Sequence, residues 1–321
     1  MLRCAILDDY QQVALNMADW SRLAGRVEVR AFSEHFADPD ALVAALEPFE
    51  IVVAMRERTP FPAQVLERLP RLRLLVTTGQ RNAAIDVDAA VRRGIVVSGT
   101  RGRSEPTAEL TWALILAWAR HLVQENEAFR KGGPWQQTIG VDLYGKRLGV
   151  VGLGRIGSRV ARVGLAFGMD VVAWSPHLSP ERAAEVGVQA LSKEELFATS
   201  DFVTIHLVLG PTTRGLIGEA DLRRMRPTAF LVNTSRAPIV DGDALIRALT
   251  EGWIAGAGLD VYDVEPLPAD HILRRLPNVL ATPHLGYVSE ATYRLFFGDV
   301  VEDIDAFLAG KPIRVMAPAA S

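Results

Sequence analysis

The stretch from Lys146 to Ala161 constrains this chain more than any other. Its apolar run Leu148 to Val151 has the length of a buried strand, and Gly152, Gly154 and Gly157 follow at G-x-G-x-x-G spacing. Ile156, Val160, Ala161 and Val163 then recur with helical period, so the stretch reads as strand, tight turn, helix. Each glycine has a separate task. Gly152 turns the backbone sharply out of the strand, Gly154 lacks the Cβ that would block a pyrophosphate, and Gly157 lets helix and strand close together. Arg155 and Ile156 open the helix, whose free N–H groups and positive dipole end face the anion. In a chain with 26 glycines the spacing alone is weak, and the strand before it and helix after it are what make it a dinucleotide turn.

Both sides of this turn alternate strand-like and helix-like runs. Before it come Leu2 to Leu7, Val27 to Phe32, Ile51 to Ala54, Leu72 to Thr77 and Ile95 to Ser98, with helices expected over 40–47 and 63–69. After it come Asp170 to Trp174, Asp201 to Leu207, Ala229 to Asn233, Gly256 to Asp260 and Val279 to Ala281, with a closing helix from Ser289 to Leu308. Such alternation argues for an α/β chain of doubly wound parallel sheets. The pattern breaks near residues 99–106 and again near 284–290, which places one domain inside another. The tail Pro318 to Ser321 is expected to fray.

Composition narrows the partners. The 321 residues carry a net charge of −3, without the basic field that sequence-independent nucleic-acid binding requires. The lone cysteine, Cys4, lies in an apolar run and reads as a buried small hydrophobe, in keeping with a reducing, cytoplasmic setting. The N-terminus enters a strand at once, so no export signal is expected. The most apolar helix, Trp112 to Ala119, is bounded by Glu109 and Arg120 and falls short of the ~20 residues a membrane span needs. A helix apolar almost all round must be covered by its own core or by a second subunit; a dimer contact is the favoured reading. No metal site is expected.

Two loops carry open readings. Thr77-Thr78-Gly79-Gln80-Arg81-Asn82 follows a strand, where backbone amides can hold a small anion, and it reads equally as a plain connection. Ser175 stands where a simple NAD site has an acidic residue for the adenosine ribose. A serine does not repel a 2′-phosphate, and His177 and Arg182 lie close by in sequence, so NADP is admitted beside NAD.

Arg236, Glu265 and His284 each follow a late strand, where this fold places its chemistry. An arginine can bind a carboxylate and polarise a ketone, an imidazolium can donate a proton, and a carboxylate can orient the ring. The ordered set Gly152-Leu153-Gly154-Arg155-Ile156-Gly157, Asn233-Thr234-Ser235-Arg236, Gly258-Leu259-Asp260-Val261 through Glu265-Pro266, and Pro283-His284-Leu285-Gly286 resembles the D-isomer-specific 2-hydroxyacid dehydrogenase family over nearly the whole chain. The resemblance is to glyoxylate/hydroxypyruvate reductase-like or phosphoglycerate dehydrogenase-like members.

The resemblance implies a flavodoxin-like substrate domain (1–99 and 290–321) around an inserted Rossmann domain (100–289), paired as a homodimer. It implies Arg236, Glu265 and His284 as the catalytic trio, Asp260 near the nicotinamide carboxamide, and Thr234, His206 and Gly286 along the cofactor. Gly79 and the amide of Gln80 would hold the substrate carboxylate, with Arg56 and Arg81 facing its other end. The implied activity is hydride transfer between NAD(P)H and a small 2-oxo acid. Arg81 and Asn82, where the family commonly has a small glycine-containing turn, and Ala237, where it has glycine, leave substrate size open. Glu265 disfavours formate, whose relatives have glutamine there. A dinucleotide-sensing regulatory protein of the same fold is the alternative, because such relatives keep the trio.

Overall fold

The computed structural model describes residues 1–317, and the expectation for 318–321 lies outside them. The chain divides into two units: Met1–Arg103 with the segment from Ser289 onward, and Ser104–Val288. In the first unit, five strands run parallel: β1 (Leu2–Ile6), β2 (Val27–Ala31), β3 (Ile51–Ala54), β4 (Leu74–Thr77) and β5 (Val96–Gly99). Their order is β2-β1-β3-β4-β5. The central strands Ile-Val-Val-Ala and Leu-Leu-Val-Thr are buried at every position, as parallel strands covered on both faces must be. Helices α1 (Pro39–Leu46), α2 (Ala63–Leu66) and α3 (Val87–Arg92) return the chain. Asp38 and Asp86 cap α1 and α3 by accepting backbone N–H groups of the first turn. Cys4 is fully buried in β1, and burial pushes its thiol well up.

The second unit holds seven parallel strands: β6 (Arg147–Val151), β7 (Asp170–Trp174), β8 (Gln189–Ala190), β9 (Phe202–Ile205), β10 (Phe230–Asn233), β11 (Gly256–Leu259) and β12 (Val279–Ala281). The order β12-β11-β10-β9-β6-β7-β8 reverses direction at β6, so the glycine turn leaves the sheet at the switch point. One face packs under α4 (Glu105–Ala119), α6 (Arg155–Ala166) and α7 (Pro180–Val186), with α5 (Leu122–Arg130) following α4. The other packs under α8 (Lys193–Thr199), α9 (Glu219–Arg224) and α10 (Gly242–Thr250). The chain then returns to the first unit as α11 (Glu290–Leu308). Two doubly wound parallel sheets are thus present, as the alternation required. Among the described residues no helix is long and apolar enough to cross a membrane.

Some local readings differ. The tryptophans of α4 are taken up by their own unit: Trp112 donates from its indole N–H to the Val160 carbonyl at 3.3 Å, and Trp118 stacks on Phe230 with ring centroids 4.3 Å apart. The exposed apolar residues follow α4 instead, at Leu122, Val123, Phe129, Trp135, Ile139 and Tyr144. In α6 Val163 faces solvent, and Gly164 takes the buried position because a Cβ there would lie 2.8 Å from the Leu148 side chain. Helix α5 carries no periodic signal because none of its residues is buried. Helix α8 carries one that is local, the Ser192 and Glu195 capping box.

Candidate active site

The turn after β6 is tight. Gly152 has φ +100°, and a Cβ on it would sit 2.8 Å from the His206 carbonyl carbon. A Cβ on Gly157 would sit 2.0 Å from the Gly152 oxygen, while the corresponding point on Gly154 has nothing within 4 Å. The first and third glycines therefore close the turn, and the second keeps an open approach to the N-terminus of α6. Arg155 stands exposed at the first position of that helix, and Ile156 is half-buried beside it. Ser175, directly after β7, accepts the Leu153 N–H on its hydroxyl at 3.1 Å, which fastens the end of β7 to the glycine turn. His206 follows β9 beside Gly152. Both its ring nitrogens are buried with no hydrogen bond among the described residues, and burial pushes the imidazole down to about 3. A glycine cradle with an open middle and an orphaned neutral imidazole beside it fit a dinucleotide.

The loops after β10, β11 and β12 carry the expected trio. Asn233 folds the first of them by accepting the Ser235 N–H at 3.0 Å and donating to the Arg236 carbonyl at 3.1 Å. Thr234 shares a 2.8 Å hydrogen bond with Thr111 of α4, and Ser235 donates to the Leu207 carbonyl. Arg236 donates from Nη1 to the Ser235 carbonyl at 2.8 Å. After β11, Glu265 accepts the Tyr262 N–H on Oε1 at 2.9 Å and meets His284 Nδ1 with Oε2 at 2.6 Å. That contact brings together two residues widely separated in sequence, and it leaves Nε2 as the free ring nitrogen. The Tyr287 ring stands edge-on to the imidazole at 5.3 Å.

His284 adopts φ +54°, a left-handed backbone unusual for a side chain of its size. Asp260, fully buried, braces the turn: Oδ1 accepts from Thr282 Oγ1 at 2.6 Å and from the Leu285 N–H at 2.7 Å, and Oδ2 from the Gly286 N–H at 2.8 Å. Burial pushes the Asp260 carboxyl above its ordinary range, opposed by Thr282, the two amides and the charge of His284. Thr107 of α4 donates to the Gly286 carbonyl at 2.8 Å, closing the turn from the other side. Thr107, Thr111, Tyr262, Thr282 and Tyr287 were absent from the expected set. Tyr262 and Thr282 sit inside or beside the motifs that carried Glu265 and His284, which was the one signal available for them.

The four residues expected to meet substrate belong to the first unit. Arg56 (φ +54°) lays its guanidinium across Gly79 (φ +103°), where a Cβ would be only 2.0 Å from Nη1. Asn82 fixes this arrangement by donating to the Arg56 carbonyl at 2.6 Å and to Thr77 Oγ1 at 2.9 Å. The Gly79 N–H is committed to Thr100 Oγ1 at 2.7 Å, so that amide is already used, and Gln80 and Arg81 are exposed.

Fold and site together define an α/β dinucleotide-dependent oxidoreductase with an imidazole paired to a carboxylate. Residues 112–286 match the model of the D-isomer specific 2-hydroxyacid dehydrogenase NAD binding domain, and the chain belongs to that dehydrogenase family. Glyoxylate reductase of Aeropyrum pernix is 44% identical over 77% of this chain and 76% of that protein. D-3-phosphoglycerate dehydrogenase of Synechocystis is 37% identical over 86% of this chain and 50% of its own length. Among solved structures, phosphoglycerate oxidoreductase from Vibrio cholerae O395 superimposes with TM-score 0.93 at 40% identity, covering 97% of this chain and all of that one.

Proposed function

We propose that this protein reduces a small 2-oxo acid to the D-2-hydroxy acid, with His284 as general acid, Glu265 as its partner and Arg236 as the carboxylate anchor. The observation that carries the reading is the 2.6 Å contact between His284 Nδ1 and Glu265 Oε2. With Nδ1 turned to the carboxylate, Nε2 is left to deliver a proton to the ketone oxygen. Arg236 binds the substrate carboxylate through its fork of donors and withdraws charge from the adjacent carbonyl. Asp260 and Thr282 hold the turn that aims His284. When bound, NAD(P)H supplies the hydride, and Gly152, Gly154, Gly157, Ser175, His206 and Thr234 are the residues that would hold it. In the oxidising direction neutral His284 takes the proton back.

The names of the relatives support glyoxylate as a first substrate, and hydroxypyruvate is a small 2-oxo acid of the same class. The D-3-phosphoglycerate dehydrogenases among the relatives keep phosphorylated 2-oxo acids in the same class. Ser175 offers no carboxylate against a 2′-phosphate, so NADPH is accepted as well as NADH. The same reading makes the protein a cytoplasmic homodimer joined through the exposed apolar residues between Leu122 and Tyr144. Following the loss of reduced-cofactor absorbance with NADH and with NADPH across a panel of 2-oxo acids tests the assignment. Turnover of one of them is expected, with D-stereochemistry wherever the product is chiral; binding of both dinucleotides without turnover of any overturns it.

A further inference from the structure

In the first unit, α11 carries two buried carboxylates one turn apart, Asp299 and Asp303, with side chains 1% and 0% exposed. Asp299 is fully engaged. It accepts the Arg101 backbone N–H at 2.8 Å and the Arg101 guanidinium at 2.6 Å, and its own carbonyl takes Arg314 Nη2 at 2.9 Å. Burial acts to raise Asp299, but the Arg101 bonds and the Arg314 charge outweigh it, and its carboxyl ends below the ordinary range. Asp303 is less well served. Arg314 Nε reaches Oδ1 at 2.9 Å, while Oδ2 is buried with no partner. Arg314 also serves Glu302 at 3.0 Å, so three carboxylates share two guanidinium groups.

The same arginines hold the chain ends that meet here. Arg314 (φ +50°) gives its carbonyl to the Gly99 N–H at 3.0 Å, the Ile313 carbonyl takes the Ser98 hydroxyl at 2.9 Å, and the Met316 N–H reaches the Val97 carbonyl at 2.8 Å. The tail thereby covers the open edge of β5, and Arg101 lies two residues before Arg103, where the chain leaves this unit.

We propose that Asp303, with Asp299, Arg101 and Arg314, forms a proton-controlled latch: the protonated Asp303 carboxyl keeps residues 313–316 and the crossover Gly99–Arg103 on α11, and loss of that proton to solvent releases them. The charged groups acting on Asp303 are Arg314 from the tail and Asp299 and Glu302 from its own helix, and Arg101 from the crossover enters through its pair with Asp299. Of the elements packed on α11, the turn Trp20–Leu23 adds Arg22, which pairs with Asp305 as its neighbour Arg26 does, and Arg73, directly before β4, lays its guanidinium over the Phe307 ring 5.6 Å from the centroid. Burial pushes the Asp303 carboxyl up to about 7, with Arg314 opposing and Asp299 and Glu302 adding to it.

The sign follows from linkage. Released into water, the carboxyl titrates near the ordinary ~4. The latch is therefore complete below that range, weakens by up to about tenfold per pH unit as pH rises towards 7, and changes no further above it. Amide hydrogen exchange of Gly99 and Met316 in the full chain, corrected for base catalysis, reads the opening directly. Between pH 5 and 7 the opening constant rises by up to about 100-fold in the parent protein and then levels. Asp303→Asn, a neutral isostere that still accepts from Arg314, gives a flat profile. A flat parent profile overturns the latch, and so does an Asp303→Asn profile parallel to the parent. If Asp303→Asn does not fold, the parent profile alone decides.

Discussion

His284 is held from three sides: Glu265 on Nδ1, the Asp260 brace on the backbone after it, and the Tyr287 ring at its edge. A left-handed backbone at a non-glycine residue costs about 1–3 kcal/mol, and the buried hydrogen bonds to Asp260 offset that cost. Replacing His284 with Ala is expected to lower kcat by about 10²–10⁴-fold while the Kd for the dinucleotide, read by fluorescence titration, stays within about threefold because no glycine of the cradle is touched. A kcat close to that of the parent would remove His284 from the chemistry. The glycine triplet and the trio were legible in sequence because their chemistry admits few residue types. The bracing of Asp260 by Thr282 and two backbone amides was not, because nothing in the spacing states which amides meet a carboxylate.

At the scale of elements, the strands were the most legible feature, since parallel strands buried on both faces leave unbroken apolar runs. Helix α4 was legible as a helix that must be covered, but its cover was not. Trp118 packs flat against Phe230 of β10 and over Gly256 of β11, where a Cβ would meet its ring at 2.3 Å and the Asn278 carbonyl at 2.5 Å. The Asn278 carbonyl is backbone and cannot swing aside. Gly256→Ala is therefore expected to lose about 1–3 kcal/mol by overpacking, seen as a lower urea midpoint at unchanged m-value. An unchanged midpoint would mean that α4 can shift away from the sheet. Helices α5 and α7 left no clear apolar period because α5 buries nothing and α7 buries only Ala183 and Val186.

For the whole molecule, the apolar surface that asks for cover lies beyond α4. Trp135 is 80% exposed, Ile139 92% and Tyr144 82%, and Phe129 stacks obliquely on Trp135 with centroids 5.9 Å apart. Residues of this size concentrated in one exposed segment mark an association surface. Sedimentation of the parent is expected to give twice the chain mass, and Trp135→Glu with Ile139→Glu to give the single-chain mass with the dinucleotide still bound. A parent protein sedimenting as single chains would remove the dimer. Sequence by itself determined two nested α/β units and a dinucleotide turn and named three candidate reactive side chains, because periodicity and functional-group chemistry are local properties of the chain. Tertiary structure alone decided which tryptophans were core, which donors brace Asp260, and that Arg101 and Arg314 meet the buried carboxylates Asp299 and Asp303 in one cluster. Those outcomes depend on close approach between distant segments, and hydrogen-bond reach and the cost of burying charge are set by that approach rather than by sequence order.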